Sequence, residues 1–221
     1  MTRLLLVTAV EAEAEAVRAG WRAPEVTVAA VGVGPAAAAA GTARLLALAE
    51  AEGRPYTGVI SVGIGGGFPG RAPVGATVLA TASVAADLGA ESPTGFLSLD
   101  ELGFGTTVAP SDPTLLHWLR AALPWALTGV VLTVSTVTGT AERAERLADR
   151  YPDALAEGME GYGVACAAAG AGVPFAELRT MSNPVGPRDR AAWRIAEAMA
   201  ALATAARALA DASTVARCPT G

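Results

Sequence analysis

Short apolar runs alternate along the chain with Ala-rich stretches of helical length, and this alternation predicts an α/β domain. Residues 3–8, with Leu4, Leu5, Leu6 and Val7 in a row, read as a buried strand, and 11–19 as a helix ending at Gly20. A second strand at 25–33 precedes a helix over 35–52, opened by Pro35, whose fixed φ suits a first helical turn. A third strand at 57–62 runs into a glycine loop at 63–70. Strands at 76–85 and 106–109 follow, separated by a segment at 88–105 that contains Gly, Ser and Pro. The pattern continues as a helix at 112–123, a strand at 129–136 and a helix at 141–150. It ends with a nearly uncharged helix at 160–171, a strand at 174–181 and a long helix at 188–211. No repeat or linker is visible, so one domain over 1–221 is expected, with a flexible tail from about residue 212.

Composition narrows the chemistry. Hydrophobic residues make up 52% and charged residues 17%, a balance that favours a generous core over disorder. All 16 basic residues are Arg, and His117 is the one histidine. A Walker-type phosphate loop would need a lysine, Schiff-base chemistry an amine, and a multi-histidine metal site partners for His117. No metal and no cofactor are therefore expected, and catalysis falls to carboxylates, amides and backbone groups. The net charge of −5 and scattered arginines leave no footprint for nucleic acid. No apolar run reaches the roughly 20 residues of a membrane span, and the first apolar run meets three glutamates where a signal peptide would carry a cleavage site. Cys166 and Cys218 are too far apart to read as a metal or redox pair, which fits a reduced, cytoplasmic protein.

Four clusters could carry a site. The glycine loop contains a formal G-x-G-x-x-G at Gly65, Gly67 and Gly70, but Pro69 and Pro73 prevent the helix that a dinucleotide fingerprint requires. The glycines still imply a close approach, by a ligand or by another segment. Among the three early glutamates, Glu11 and Glu15 share a face that suits a solvated first turn. Glu13 is rotated by about 200° from Glu11, onto the face of Val10 and Val17, which is expected to point inward. A carboxylate on that inward face costs several kcal/mol, about the penalty for burying a charge, unless it is paired or used. Glu160 precedes a stretch without charge from 161 to 176, so it is either a helix cap or an acceptor for two hydroxyls. The last cluster, Arg179-Thr180-Met181-Ser182-Asn183-Pro184, continues through Gly186, Pro187 and Arg188. It follows an apolar strand, where open α/β sheets place ligands.

Taken in order, these clusters resemble the purine nucleoside phosphorylase and nucleosidase superfamily, most closely its 5′-methylthioadenosine/S-adenosylhomocysteine nucleosidase branch. The resemblance rests on Thr8-Ala9-Val10-Glu11-Ala12-Glu13, Ser61-Val62-Gly63-Ile64-Gly65-Gly66-Gly67-Phe68, Gly158-Met159-Glu160-Gly161 and Arg179 to Asn183. Within the superfamily, the stretch 158–195 is similar to the futalosine hydrolases of the alternative menaquinone pathway.

That likeness implies a three-layer α/β/α sandwich with a central mixed sheet. It makes Glu13 the activator of the attacking water, sets Met159 on the ribose and gives the ribose hydroxyls to Glu160. Gly65 and Gly66 would line the ribose and water side, with Val137 and Thr138 beside the purine. Asn183, with Ser182 before it, falls where adenosine-type nucleosidases carry an aspartate. An amide can donate to N7 or O6 of hypoxanthine, whereas a carboxylate would repel O6. Arg188, Arg190 or Trp193 are candidates for the carboxylated aromatic end of futalosine. The expected partners are a small-molecule nucleoside and water. A homo-oligomer of two or more copies is also implied, with 95–104 closing the 5′ pocket of a neighbour. Ile64 lacks the hydroxyl that a phosphate-binding loop would favour, which argues for a hydrolase. A phosphate-dependent phosphorylase, an amino-purine nucleosidase and a non-catalytic nucleoside-binding protein stay open as alternatives.

Overall fold

The computed structural model describes residues 3–215. The chain runs β1 (Leu4–Thr8), α1 (Glu11–Gly20), β2 (Val26–Ala30), α2 (Pro35–Ala51), β3 (Gly58–Gly67), β4 (Thr77–Ala85), β5 (Gly89–Ser92) and β6 (Gly95–Ser98). It continues α3 (Leu99–Leu102), β7 (Val108–Pro110), α4 (Pro113–Ala122), β8 (Leu127–Thr133), α5 (Ala141–Arg150), β9 (Ala154–Gly158), α6 (Gly161–Gly170), β10 (Phe175–Pro184) and α7 (Ile195–Val215).

An eight-stranded mixed sheet in the order β10-β4-β8-β9-β3-β1-β2, with β7 on β4, forms the centre. An additional pairing of β10 with β3 closes five of these strands on themselves. β3 makes this possible by its length: its first half pairs with β1, its last residues with β9, and β10 runs beside it from Val59 to Gly67.

Side-chain alternation sends each face of β1 into a different core, as the period of two in a strand requires. Leu4 and Leu6 join Val17, Trp21, Leu119 and Leu202 beneath α1, α4 and α7. Leu5 and Val7 join Ala38, Leu46, Val164 and Phe175 beneath α2 and α6. The layered α/β architecture expected from the sequence is therefore present. A third cluster, with Phe68, Leu132, Leu147 and Val185, seats α5 against the closed part of the sheet.

Several local expectations change. Residues 63–67 are strand rather than loop, because β10 on one side and β9 on the other supply backbone partners. A Cβ at Gly67 would lie 2.1 Å from the Ala72 carbonyl oxygen, so the glycines permit close backbone approach. β9, with sequence ALAEG, has little strand propensity of its own and escaped the pattern reading; its pairing with β8 determines it. The 88–105 segment holds the β5–β6 hairpin and the short α3. The terminal helix starts at Ile195, seven residues later than expected. The Arg194 N–H is drawn to the Ser182 carbonyl, 2.7 Å away, and Asp189 caps a separate 3-10 turn at Arg190–Ala192. α7 continues through residues 212–215, where a tail was expected; the rest of that tail, with Cys218, lies outside the described residues.

Candidate active site

The carboxyl-terminal halves of β3 and β10 converge with the end of β9 and the start of α1 on a cavity of about 270 Å³. Of the individual residues that the resemblance assigns to the substrate, all except Arg190 line it: Glu13, Gly65, Gly66, Val137, Thr138, Met159, Glu160, Ser182, Asn183, Arg188 and Trp193. Arg190 reaches the rim through Trp193, whose ring lies 5.7 Å from the Arg188 guanidinium and 5.9 Å from that of Arg190. Glu11 and Glu15 are exposed, with Glu11 paired to Arg18, as a solvated first turn requires. His117 is exposed on α4, away from the cavity.

Glu13 is 3% exposed. Its Oε2 accepts from the Ala9 N–H at 2.9 Å and the Val10 N–H at 3.3 Å, and its Oε1 from the Ile64 N–H at 2.9 Å. These bonds tie the first turn of α1 to β3 and fix the orientation of the carboxylate. Oε2 is filled by its two N–H donors, and Oε1, with one, keeps acceptor capacity toward the cavity.

Glu160 occupies the N-cap position of α6, but its carboxylate is not used to cap the helix. Its side chain makes no capping bond; the Tyr162 N–H is satisfied by Thr133 Oγ1 at 2.9 Å instead. The carboxylate accepts from the Gly34 N–H at 3.2 Å and the Met159 N–H at 3.3 Å, and it forms an ion pair with Arg179 Nη1 at 3.0 Å.

Arg179 is the buried hub. Its Nε donates to Glu177 Oε1 at 2.8 Å and its Nη2 to Ser61 Oγ at 3.0 Å, and Glu177 also accepts from the Ser83 hydroxyl. Burial alone would lower the Arg179 pKa, but Glu177, Glu160 and Glu13 together hold it above its usual value. Burial pushes the Glu177 carboxyl up, against the pull of Arg179.

Asn183 stands at the cavity wall with its Oδ1 2.7 Å from Ser182 Oγ and its Nδ2 donating to the Pro184 carbonyl at 3.0 Å. One amide hydrogen is left for a ligand. Across the cavity, Glu157 accepts from the Thr138 N–H at 2.8 Å and from the Thr138 hydroxyl.

Comparison with known proteins supplies the lineage. Residues 8–216 match the model of the phosphorylase superfamily. The chain is 54% identical over 223 residues to a futalosine hydrolase of Streptomyces coelicolor, covering 94% of each chain. It belongs to the phosphorylase superfamily, in its futalosine hydrolase family. A futalosine hydrolase of Acidothermus cellulolyticus is 46% identical, over 93% of this chain and 89% of its own. The fold also matches a 5′-methylthioadenosine/S-adenosylhomocysteine nucleosidase of Colwellia psychrerythraea solved with adenine. There the TM-score is 0.78 at 18% identity, over 96% of this chain and 95% of the other.

For this family member, sequence reasoning missed Glu157 and Glu177 and gave Arg179 no role. A signal was available, since each is a charged residue inside an otherwise apolar strand: ALAEG for β9 and FAELRTM at the start of β10. A charge in such a position is paired or used.

Proposed function

We propose that this nucleoside N-glycosyl hydrolase cleaves futalosine to hypoxanthine and dehypoxanthine futalosine, a step of menaquinone biosynthesis. The observation that carries this reading is the convergence of Glu13, Glu160 and Asn183, distant in sequence, on one cavity. The sequence identity to futalosine hydrolases supports the substrate.

In this reading Glu13 accepts a proton from water as the water oxygen bonds to C1′ and the C1′–N9 bond breaks, its electron pair leaving with the purine. Positive charge develops on the ribose, as it does when glycosidic bonds break. The carboxylates of Glu13 and Glu160 favour that charge electrostatically. Glu160 holds the ribose hydroxyls, Met159 packs against the ring, and Gly65 and Gly66 leave space for water. Val137 and Thr138 flank the base, and Asn183, steadied by Ser182, donates to N7 or O6 as negative charge reaches the purine. The Arg188–Trp193 pair at the rim suits a carboxylated aromatic group.

A second copy of the chain belongs to the proposal. None of residues 95–104 lines the cavity of its own chain, and Phe104 is 78% exposed, which supports a contribution to a neighbour's site. Incubation with futalosine tests the activity: hypoxanthine should appear by chromatography without added phosphate. Its absence overturns the reading, and dependence on phosphate would make the protein a phosphorylase.

A further inference from the structure

Glu157 lines the cavity yet has no part in the water activation or ribose binding described above. It is buried, and among the described residues no arginine lies within ion-pair distance of it, whereas Glu160 and Glu177 share Arg179. Its two partners, the N–H and hydroxyl of Thr138, are both donors. Two donors favour the ionised, acceptor-only form, and a carboxylate has about four lone-pair sites, of which these use two.

The sheet register places this carboxylate opposite Asn183. Gly66 of β3 pairs with Glu157 of β9 on one side and with Asn183 of β10 on the other. Register partners point to the same face, so Glu157 and Asn183 stand two strands apart, roughly 10 Å between their Cα atoms. The middle residue, a glycine, places no side chain of its own between them. A Cβ there would come within 3.3 Å of Asn183 Nδ2 and 3.0 Å of Val185 Cγ2. Val185 packs over that glycine, and an acceptor on β9 and an amide on β10 both line the cavity.

The edge of a 6-oxopurine carries an N1–H donor beside the O6 acceptor, whereas that of adenine carries the N1 acceptor beside an amino donor. We infer that Glu157 accepts the N1–H of a 6-oxopurine while Asn183 serves its O6 or N7, so that the two residues together select the base. Thr138 is the positioning residue that orients Glu157. Adenine would set the N1 lone pair against a carboxylate oxygen and leave a buried acceptor unsatisfied, a loss that recognition sites convert into large discrimination. This assignment rests on the reading that the leaving group is a 6-oxopurine.

The test reads base binding separately from turnover. Dissociation constants for hypoxanthine and adenine are measured by calorimetry on the wild type, Glu157→Gln and Thr138→Val, and futalosine hydrolysis is assayed in parallel. The wild type should prefer hypoxanthine. Glu157→Gln should reduce that preference about tenfold to a hundredfold, the range for a charge-assisted hydrogen bond, chiefly by weakening hypoxanthine. Thr138→Val should shift it a few-fold in the same direction, and it decides the matter if Glu157→Gln fails to fold. Equal weakening of both bases, an unchanged ratio, a wild-type preference for adenine or no hypoxanthine binding overturns the assignment. A wild type that prefers hypoxanthine but leaves futalosine intact overturns the functional reading alone, and the role of Glu157 stands.

Discussion

Arg179 Nη1 lies 3.0 Å from Glu160 Oε2, so a carboxylate on the cavity wall is oriented by a guanidinium with almost no solvent exposure. The same guanidinium bonds Glu177 through Nε. It therefore links the cavity to the interior of the sheet, and its planar fork allows both bonds at once.

Arg179→Met should destabilise the protein by about 3–5 kcal/mol, the usual result of leaving buried charges without their partner. A denaturant titration would register this as a lower midpoint. Arg179→Lys should recover only part of the loss, because an ammonium cannot reproduce the fork. A midpoint equal to that of the wild type would show that the pairs contribute nothing.

Glu13→Gln should reduce futalosine turnover by about 10²–10⁴-fold with little change in KM, the range for losing a general base. Glu13 accepts three backbone N–H groups through its two oxygens, and an amide would turn an NH2 toward at least one of them. A stability loss of about 1–3 kcal/mol should accompany the kinetic effect. Undiminished turnover would assign water activation elsewhere.

Gly63→Ala probes how closely Glu13 and Arg179 approach the same backbone. The added Cβ would lie 2.7 Å from Glu13 Oε1 and 2.8 Å from Arg179 Nη1. Both groups must move, so activity should fall by more than tenfold while stability falls by about 1–3 kcal/mol, the range for overpacking. Steady-state kinetics beside thermal unfolding separates the two effects.

Asn183→Asp should move the ratio of kcat/KM from futalosine toward its 6-amino analogue. Repulsion between the new carboxylate and O6, together with a new acceptor for the amino group, makes a shift of about 10²-fold reasonable, with roughly 10⁴ as the ceiling. An unmoved ratio would remove Asn183 from base recognition.

Glu157 gives the stability a pH signature. Burial raises its pKa above the ordinary carboxylate value, against the bonds from Thr138 that lower it. Between the unfolded pKa of about 4.3 and the raised native value, the folded state binds more protons than the unfolded one. Stability from this group therefore rises as pH falls through that window and declines as pH rises through it. The difference in unfolding midpoint between wild type and Glu157→Gln, followed from pH 7 downward, should shift in favour of the wild type. The opposite slope would contradict the raised pKa.

The chain's own pattern determined the strands and helices whose periodicity is strong and the inward face of Glu13. Those features are local: side-chain period and helix phase are set by residues a few positions apart. Tertiary structure decided the rest. Glycines 63–67 became strand because two other strands pair with them, and β9 formed from a weak sequence because β8 lies alongside. Arg179, paired with Glu177 on its own strand, acquired two further carboxylate neighbours, Glu160 and Glu13, from distant parts of the chain. Glu157 faced Asn183 only once β3 had brought β9 and β10 to either side of Gly66. Such relationships depend on contacts far apart in the chain, and a buried charge in a short apolar strand marks where to look for them without naming its partner.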